Sequence, residues 1–376
     1  MRGPADMISI DKALEQLLSS IQLVSAIHPE LRSDRDDPAV DKSAMDGYAI
    51  NTKHTKGTRR IIGTLYAGED PSIYSLKQNE CLKIMTGACI PLGADAVVPI
   101  EQCQVEDGSL VLTKGVMPGD FIRKKASHAK KNDLLLLHSH KMNAPRFALY
   151  AQVGQVPPPI LSPRIVVCST GDELCDRPSE FQIRDSNWHS LSYLLARLGH
   201  ECQQGPILRD NPTQITHFIN TEPFDILITT GGVSAGDRDY LPRILKEIGA
   251  RIIFHKLNLK PGMPMLAAIF NKKIILGLPG NAVSTYVTSL IFLPPLLATL
   301  KGMTTTRYWT EGVLQSDVDH SGNKEWIIPA LLTDGFLNPH KSRDSSDLVA
   351  LAQSDVLIRI NSPKKKGDVV YYQNIL

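Results

Sequence analysis

The sequence lacks the glycine motifs of two widespread nucleotide-binding sites. No G-x-G-x-x-G lies between a predicted strand and a helix, which argues against a nicotinamide dinucleotide site, and no G-x-x-x-x-G-K-[ST] is present, which argues against a P-loop. An excess of charge of one sign is missing too, because 41 basic and 39 acidic residues leave a net charge of +2. This balance gives no indication of a nucleic-acid partner.

Paired cysteines and long apolar runs are also scarce. The six cysteines include no C-x-x-C pair, which predicts reduced thiols in a cytoplasmic protein and not a zinc site or a disulfide framework. The chain does not open on a charged segment followed by an apolar core, so we expect no signal peptide. Its most apolar stretch, residues 286–300, is short and broken by two prolines, which indicates a core helix and no membrane span.

The pattern of predicted strands and helices changes along the chain, which predicts several domains. The size of the chain, 376 residues, predicts the same. Short apolar runs alternate with turn residues in the first half, strands alternate with helices after the stiff run Pro157-Pro158-Pro159, and short strands return in the tail. We therefore predict an α/β multidomain protein with an elongated N-terminal domain (7–41 and 140–160), an inserted mostly β module (42–139), a central doubly wound α/β domain (161–302) and a small C-terminal β domain (303–376).

One stretch of the central domain carries a strong signal for a site. A buried, β-branched run, residues 224–230, ends in Gly231-Gly232 and is followed by Asp237 and Asp239 before an amphipathic stretch at 241–248. Glycines let the backbone approach a phosphate, and the two carboxylates suit a hard cation such as Mg²⁺ between protein and phosphate. The stretch alone leaves a second interpretation open, in which the Asp residues only cap the next helix.

Other polar turns follow predicted strands of the same domain. They are Ser169–Glu173, Asp210, Lys256–Pro264 and Gly277–Ser284. Because the carboxyl ends of parallel strands meet at one edge of a sheet, these turns are expected to form a single cleft. Its mixture of glycines, hydroxyls, carboxylates and lysines suits a phosphorylated ligand held through a metal and ammonium groups.

Two features of the first half are weaker. Residues 41–50 predict a strand and turn that displays Asp46, although a simple β-turn at Asp46-Gly47 fits the same residues. Thr86-Gly87, at a predicted strand end, offers a hydroxyl and a backbone amide.

Read together, six phrases resemble one family. SAMDGYAI (43–50), IMTGACIPLGADAVVPIE (84–101), STGDEL (169–174), TTGGVSAGDRDY (229–240), KPGMPM (260–265) and GLPGNAVS (277–284) are similar to molybdopterin molybdenumtransferases, the MoeA family that includes the E domain of gephyrin. The phrases occur in order over almost the whole chain, and the tail matches least.

The resemblance implies a function and an assembly. It implies a central domain similar to molybdopterin adenylyltransferase, insertion of molybdate into adenylylated molybdopterin (molybdopterin-AMP), and Mg²⁺-dependent hydrolysis that releases AMP. It also implies a cytoplasmic homodimer whose active cleft is shared between subunits, and molybdopterin adenylyltransferase as a pathway partner. No nucleic acid or membrane partner is expected.

The resemblance also assigns site residues. The residues that would reach the cleft from the other subunit are Asp46 and Thr86. The acidic side of the cleft would be formed by Glu173, Asp210, Asp237 and Asp239, of which Asp237 and Asp239 would bind the metal. Anionic groups would be held by Lys256 and Lys260. The substrate-binding wall would comprise Thr170, Gly171, Thr230, Gly231, Gly232, Ser234, Pro264, Pro279, Gly280, Asn281 and Ser284.

Three departures from the family pattern leave alternatives open. Met263 stands where the family has a second lysine, Ala282 stands where it has proline, and the tail lacks an arginine before its Glu-aromatic pair, where Lys324 or Arg343 could supply the charge. The alternatives to an active transferase are a divergent relative that binds or hydrolyses adenylylated molybdopterin without efficient molybdate insertion, and a non-catalytic dimeric scaffold.

Overall fold

The computed structural model of the chain describes residues 7–21, 29–53, 57–112, 115–140, 142–159, 162–234, 239–303, 309–340 and 343–376. They form two compact units. The larger unit is drawn from residues 1–26, 141–143 and 159–376, and the smaller from residues 27–140 and 144–158. The boundaries of the four predicted domains stay a prediction.

Helix α1 (Ile10–Ile21) opens the described part of the larger unit. Its apolar residues recur at helical spacing, and Ile10, Ala13, Leu17 and Ile21 are all fully buried. This one-sided burial is what an amphipathic helix requires. The spacing of apolar residues over 8–26 predicts a helix, which is confirmed here, and residues 22–26 of that prediction lie outside the described residues.

The smaller unit is built mainly from short strands. A six-stranded sheet in the order β6-β3-β5-β4-β8-β7 carries two small apolar cores, and β1 pairs with β10 and β2 with β9. The predicted mostly β texture is thus confirmed. The elements are β1 (Leu31–Arg32), β2 (Lys42–Ser43), β3 (Gly47–Ile50), β4 (Arg59–Leu65), β5 (Glu80–Ile84), β6 (Ala96–Pro99), β7 (Cys103–Glu106), β8 (Ser109–Leu112), β9 (Ile122–Arg123), β10 (Leu134–Leu136), two 3₁₀ turns (Pro71–Ile73 and Ile100–Gln102) and helix α2 (Ala144–Gln152).

A six-stranded sheet forms the centre of the larger unit, in the order β12-β11-β13-β17-β16-β14. Only β16 runs antiparallel to its neighbours, so β14 points the same way as the other four strands. The elements are β11 (Ile165–Ser169), α3 (Ser186–Arg197), β12 (Cys202–Gln204), α4 (Pro212–Thr221), β13 (Ile226–Thr230), α5 (Leu241–Glu247), β14 (Arg251–His255), the separate short β15 (Leu259–Lys260), β16 (Leu266–Phe270), β17 (Lys273–Leu278) and α6 (Ala282–Leu300).

Helices cover both faces of this sheet, as in a doubly wound fold. Alternate residues of the buried strands belong to different cores: Ile226 and Ile228 join the core that contains α1, α3 and α6, whereas Leu227 joins the core that contains α4 and α5. Continuous apolar runs such as β13 are explained by this burial on two sides.

Helix α6 is the most apolar element. By length and composition it is the one helix among the described residues that could cross a membrane, but 94% of its 18-residue window is buried inside the protein. It is a core helix, as predicted, and it continues through Pro294 and Pro295.

The last part of the larger unit is a small closed β structure. Five strands follow one another around a ring, β19-β20-β18-β22-β21, and β21 pairs back onto β19. Arg359 on β21 donates to the Glu325 carboxylate on β19 and, at 2.8 Å, to Asp11 of α1, which joins the ring to the helix. The elements are β18 (Thr310–Leu314), β19 (Glu325–Thr333), β20 (Phe336–Pro339), α7 (Leu348–Ala352), β21 (Val356–Ile360) and β22 (Val369–Asn374).

Candidate active site

A pocket of about 480 Å³ lies at the carboxyl edge of the central sheet. β11, β13 and β17 are neighbours in register, with Ser169 opposite Thr230 and Thr230 opposite Leu278, so the turns that follow them meet in space. We call this the glycine-turn pocket. Most site residues predicted for the central domain line it: Thr170, Gly171, Glu173, Asp210, Thr230, Gly231, Gly232, Asp239, Gly280 and Asn281.

Backbone hydrogen bonds hold the turns of this pocket together. The Thr170 amide donates to the Thr230 carbonyl at 2.9 Å, and the Gly231 amide donates to the Leu278 carbonyl at 2.9 Å. Gly231 has a φ of +94°, and a Cβ there would lie 2.6 Å from Thr170 Oγ1. Only glycine tolerates both conditions, so the close approach of the two turns depends on it.

One residue of the pocket lining has a buried hydroxyl group. Thr230 is 2% exposed, and its Oγ1 has no hydrogen-bond partner among the described residues. Leaving such a group unsatisfied costs about 1–3 kcal/mol, so Thr230 is a lining residue whose hydroxyl has an unmet hydrogen-bonding capacity.

Three carboxylates face the same pocket, those of Glu173, Asp210 and Asp239. The fourth predicted carboxylate, Asp237, lies outside the described residues. Helix α5 takes Tyr240 as its N-cap, without a side-chain cap hydrogen bond, so Asp239 does not fill the N-cap position of that helix. The alternative in which the Asp residues of this stretch only cap the helix stays a prediction for Asp237, which lies outside the described residues.

The described residues contain no group of three or more His, Cys, Asp or Glu arranged to enclose a metal. Mg²⁺ usually binds through one or two carboxylates and substrate phosphates and retains several waters, so it does not need an all-protein cage. The oxygen donors of the glycine-turn pocket fit that mode of binding.

Some pocket residues were not among those predicted. Asn187, which the sequence indicates only as one N-cap candidate of a helix, donates from Nδ2 to the Gly280 carbonyl at 2.8 Å. Ser346 lines the pocket from the polar loop of the tail, and its neighbour Ser345 accepts from Asn281 Nδ2 at 2.7 Å. The polar composition of both segments was a signal, but their pairing with residues 280–281 is non-local.

The predicted lysine loop, Lys256–Pro264, does not line the glycine-turn pocket. It follows β14, and β15 within it pairs with β19 of the tail. Lys260 Nζ lies 4.5 Å from the centre of the Trp326 ring, a cation–π contact. Lys324 Nζ lies 3.4 Å from Met263 Sδ.

We call Lys260, Met263, His320, Lys324 and Trp326 the cation cluster. The centres of the His320 and Trp326 rings are 4.8 Å apart, and His320 Nε2 lies 2.8 Å from the Lys324 carbonyl oxygen. Two ammonium groups from distant parts of the sequence thus contact neighbouring members of the cluster, Lys260 at Trp326 and Lys324 at Met263.

Four other predicted residues stand outside the pocket lining. Pro279 accepts a hydrogen bond from Thr285 Oγ1 at its carbonyl, 2.6 Å away, and Ser284 is buried in the first turn of α6. Ser234 and Pro264 do not line the pocket either. His255 Nε2 lies 2.9 Å from the Val233 carbonyl and links the start of the lysine loop to the glycine turn.

In the smaller unit, Asp46 and Thr86 lie side by side. Asp46 Oδ1 accepts from both the amide and the hydroxyl of Thr86, each at 2.7 Å. These two hydrogen bonds, with a smaller effect of the Lys83 charge, hold the pKa of Asp46 below its usual value. The residues predicted to act together are therefore in contact.

Comparisons with known proteins support a common family for both units. Residues 8–154 match the model of the MoeA N-terminal region (domain I and II), and residues 166–299 match the model of a probable molybdopterin binding domain. The chain is 34% identical over 353 residues to the molybdopterin molybdenumtransferase of a Nostoc species, covering 87% of this chain and 80% of the relative.

Two further relatives extend the comparison. The Drosophila melanogaster molybdenum cofactor synthesis protein cinnamon is 28% identical over 97% of this chain and 64% of its own length. A crystal structure of the molybdopterin biosynthesis MoeA protein from Pyrococcus horikoshii aligns with a TM-score of 0.75 at 22% identity, covering 98% of this chain and 100% of that one. The predicted fold class is thereby confirmed.

Proposed function

This chain belongs to the molybdopterin molybdenumtransferase family, and on that premise we propose that it inserts molybdate into adenylylated molybdopterin and hydrolyses the diphosphate with release of AMP. It is a transferase of molybdenum cofactor biosynthesis. The single observation that carries the proposal is the glycine-turn pocket, which combines three carboxylates, an unpartnered buried hydroxyl and glycine-rich backbone.

The pocket suits the diphosphate of the substrate. Gly171, Gly231, Gly232 and Gly280 let the backbone come close to phosphate oxygens, and α6 begins at the pocket with its amide groups. Thr170, Thr230 and Asn281 supply polar side chains of the lining, and Ser234, outside the lining, would supply another. We assign these residues to substrate binding.

The acidic side of the pocket supports hydrolysis. Asp237 and Asp239 would hold Mg²⁺, which supplies Lewis-acid neutralisation of charge on the diphosphate when bound. Glu173 and Asp210 stand in the same pocket as Asp239 and would orient the attacking water. Water adds to phosphorus, the P–O–P bond breaks, and AMP leaves.

We assign molybdate to the cation cluster. Molybdate is a dianion, and Lys260 and Lys324 offer two ammonium groups, with Lys324 beside the position where the family lysine is replaced by Met263. Lys256 would hold a further anionic group, and Pro264, Pro279 and Ser284 would shape the adjoining wall. Arg343 is the weaker candidate for the missing charge, because the contact with Met263 is made by Lys324.

Assembly and location complete the proposal. We place Asp46 and Thr86 in the cleft of the second subunit of a homodimer, with molybdopterin adenylyltransferase as the enzyme that delivers the substrate. Six free cysteines suit a reducing, cytoplasmic environment.

One experiment tests the function directly. Purified protein receives adenylylated molybdopterin, Mg²⁺ and molybdate, and AMP release is followed together with the formation of active cofactor. We expect both products in equal amounts. AMP without active cofactor would indicate a relative that hydrolyses without insertion, and neither product would indicate a scaffold.

A further inference from the structure

A single arginine binds the turn that carries Glu173. Arg209 directs its Nη1 at three carbonyl oxygens of this turn, those of Gly171 at 3.4 Å, Asp172 at 3.1 Å and Leu174 at 3.4 Å. Charged donors make stronger hydrogen bonds than neutral ones. Among the described residues no carboxylate is paired with this guanidinium, which serves as the common donor for a backbone turn.

The remaining carbonyl of the turn is satisfied from another side. The Glu173 carbonyl accepts from the Ile183 amide at 3.0 Å, and the Cys175 amide donates to the Ile183 carbonyl at 2.9 Å. All four carbonyls from Gly171 to Leu174 thus bind donors outside the turn. The conformation of the turn depends on these partners, and Arg209 provides three of the four contacts.

The Glu173 side chain depends on the same turn. Gly171 has a φ of +132°, and a Cβ there would lie 2.6 Å from the Glu173 carboxyl carbon, so this carboxyl group folds back over the glycine. A shift of the Gly171 backbone would therefore move the Glu173 carboxylate.

Arg209 also stands directly before Asp210, the second carboxylate of the pocket. Its own backbone is fixed on both sides: the preceding Leu208 amide donates to the Ser169 carbonyl at 2.9 Å, and the following Asn211 caps α4 by accepting from the Gln214 amide. Arg209, which binds the carbonyl groups of the Glu173 turn, thus belongs to the hydrogen-bonded segment that carries Asp210.

We propose that Arg209 is a positioning residue that fixes Glu173 relative to Asp210 in the glycine-turn pocket through its three carbonyl contacts. It touches backbone carbonyls and acts on the reaction only through the carboxylates that it positions. The inference rests on the proposed function in giving those carboxylates a part in AMP release.

The test compares Arg209→Met, Arg209→Gln and Arg209→Lys with the wild-type enzyme. Met keeps the length of the side chain without donors, Gln keeps one amide group, and Lys brings three donors to one nitrogen, which matches three carbonyls around one point. We expect kcat for AMP release to fall about 100-fold in R209M, because small displacements of catalytic groups have effects of this size, while KM changes less than about threefold. R209K should recover most of the loss, and R209Q should lie between the two.

Amide exchange provides a readout that is independent of turnover. The Gly171 amide donates to the Leu208 carbonyl and the Cys175 amide to the Ile183 carbonyl, so both report on the turn. We expect their hydrogen exchange to become about tenfold faster in R209M, with exchange in β13 unchanged. Arg197→Met, an exposed arginine in the last turn of α3, is the control and should alter neither measurement.

The outcomes are distinct. If R209M and R209Q keep the wild-type kcat, or if R209K is as impaired as R209M, the positioning role is wrong. If hydrogen exchange at the Gly171 and Cys175 amides does not change in R209M, the claim that Arg209 holds the Glu173 turn is wrong. Wild-type protein that releases no AMP, with exchange still accelerated in R209M, would refute the proposed function. The structural role of Arg209 in holding the Glu173 turn would then still stand.

Discussion

The glycine-turn pocket and the cation cluster belong to the same unit but are built in opposite ways. The pocket is held by backbone bonds between neighbouring turns, such as Gly231 to Leu278 and Thr170 to Thr230. The cation cluster is held by side chains, with Lys260 on Trp326 and Lys324 beside Met263.

This difference determines what each region tolerates. A backbone site requires specific φ angles and the absence of a Cβ, so its glycines leave little freedom for substitution. A side-chain cluster draws on several positions, so an ammonium lost at one position can be supplied from another. We infer that the family lysine replaced by Met263 is compensated by Lys324, which lies 61 residues away in sequence and 3.4 Å away in space.

The largest expected effect is in the pocket. Asp239→Asn removes a negative charge from the acidic wall, and AMP release should fall by about 100-fold to 1,000-fold, the range seen when one preorganised electrostatic contact is removed. The melting temperature should change by less than about 3 °C, since the substitution is polar and outside the core. Asp176→Asn, an exposed carboxylate outside the pocket lining, is the control. Wild-type turnover by D239N would contradict the assignment.

The next largest effect concerns the ion pair of Arg359 with Glu325, which stabilises the strand that carries Trp326 of the cation cluster. Arg359→Met leaves Glu325, whose side chain is 13% exposed, without the guanidinium that it binds, and β19 carries both Glu325 and Trp326. We expect a loss of about 3 kcal/mol in the free energy of unfolding, measured by urea denaturation, because one charge of a largely buried pair is left unpaired. Asp11→Asn, at a side chain 72% exposed, should cost less than about 1 kcal/mol. Equal losses for the two variants would overturn this view of the cluster.

A smaller effect concerns the molybdate charge. Lys324→Met should raise the molybdate concentration for half-maximal cofactor formation about tenfold, since a charged hydrogen bond contributes about 1.5–3 kcal/mol. Lys246→Met, an exposed lysine on α5, is the matched control and should have no effect.

The double variant Met263→Lys with Lys324→Met tests the compensation itself. It moves the ammonium to the neighbouring position and should recover molybdate dependence close to that of the wild type. Met263→Lys alone places a second ammonium group beside that of Lys324, and the two repel each other. We therefore expect it to lower the molybdate concentration for half-maximal cofactor formation by less than an isolated extra positive charge would. A double variant no better than K324M would mean that the two positions do not share one function.

The smallest effect tests how firmly the core beneath β11 is closed to solvent. Cys168 is fully buried at the end of β11, and burial raises the pKa of its thiol to about 12. Native protein treated with iodoacetamide at pH 8.5 should keep Cys168 unmodified, while the half-buried Cys175 reacts and both react in urea. Reaction of Cys168 at the rate of Cys175 would show that this core opens to solvent.

The same thiol gives a pH dependence with a defined sign. The folded pKa lies above the unfolded value of 9.0, so the contribution of Cys168 to the free energy of unfolding is complete below pH 9. It is lost as the pH rises toward 12, because the unfolded state then releases a proton that the folded state keeps.

Much of the fold and of the pocket follows from local sequence. Buried runs such as residues 226–230, followed at once by glycines and polar residues, predict both a strand and the place where its turn opens. The placement of Thr170, Gly231 and Gly280 in one pocket could be predicted because it needs only the parallel order of the strands.

The remaining features depend on non-local pairing. The contact of Asn281 with Ser345 and that of Met263 with Lys324 require the tail to pack against the central domain in one register, which no local pattern specifies. The three carbonyl contacts of Arg209 were missed for the same reason. An exposed arginine in a turn gives no sequence signal of the backbone atoms that it will bind.

The two prolines inside α6 have a consequence for how the tail attaches. Pro294 has no amide hydrogen, so the Leu290 carbonyl four residues earlier loses its normal helical donor. Gln373 of β22, only 5% exposed, donates its Nε2 to this carbonyl at 3.3 Å. The carbonyl left without a helical donor thus becomes a specific hydrogen-bond acceptor on an otherwise apolar helix. An amide side chain of the tail can bind it, whereas a helix of leucines alone would offer no free acceptor at this position.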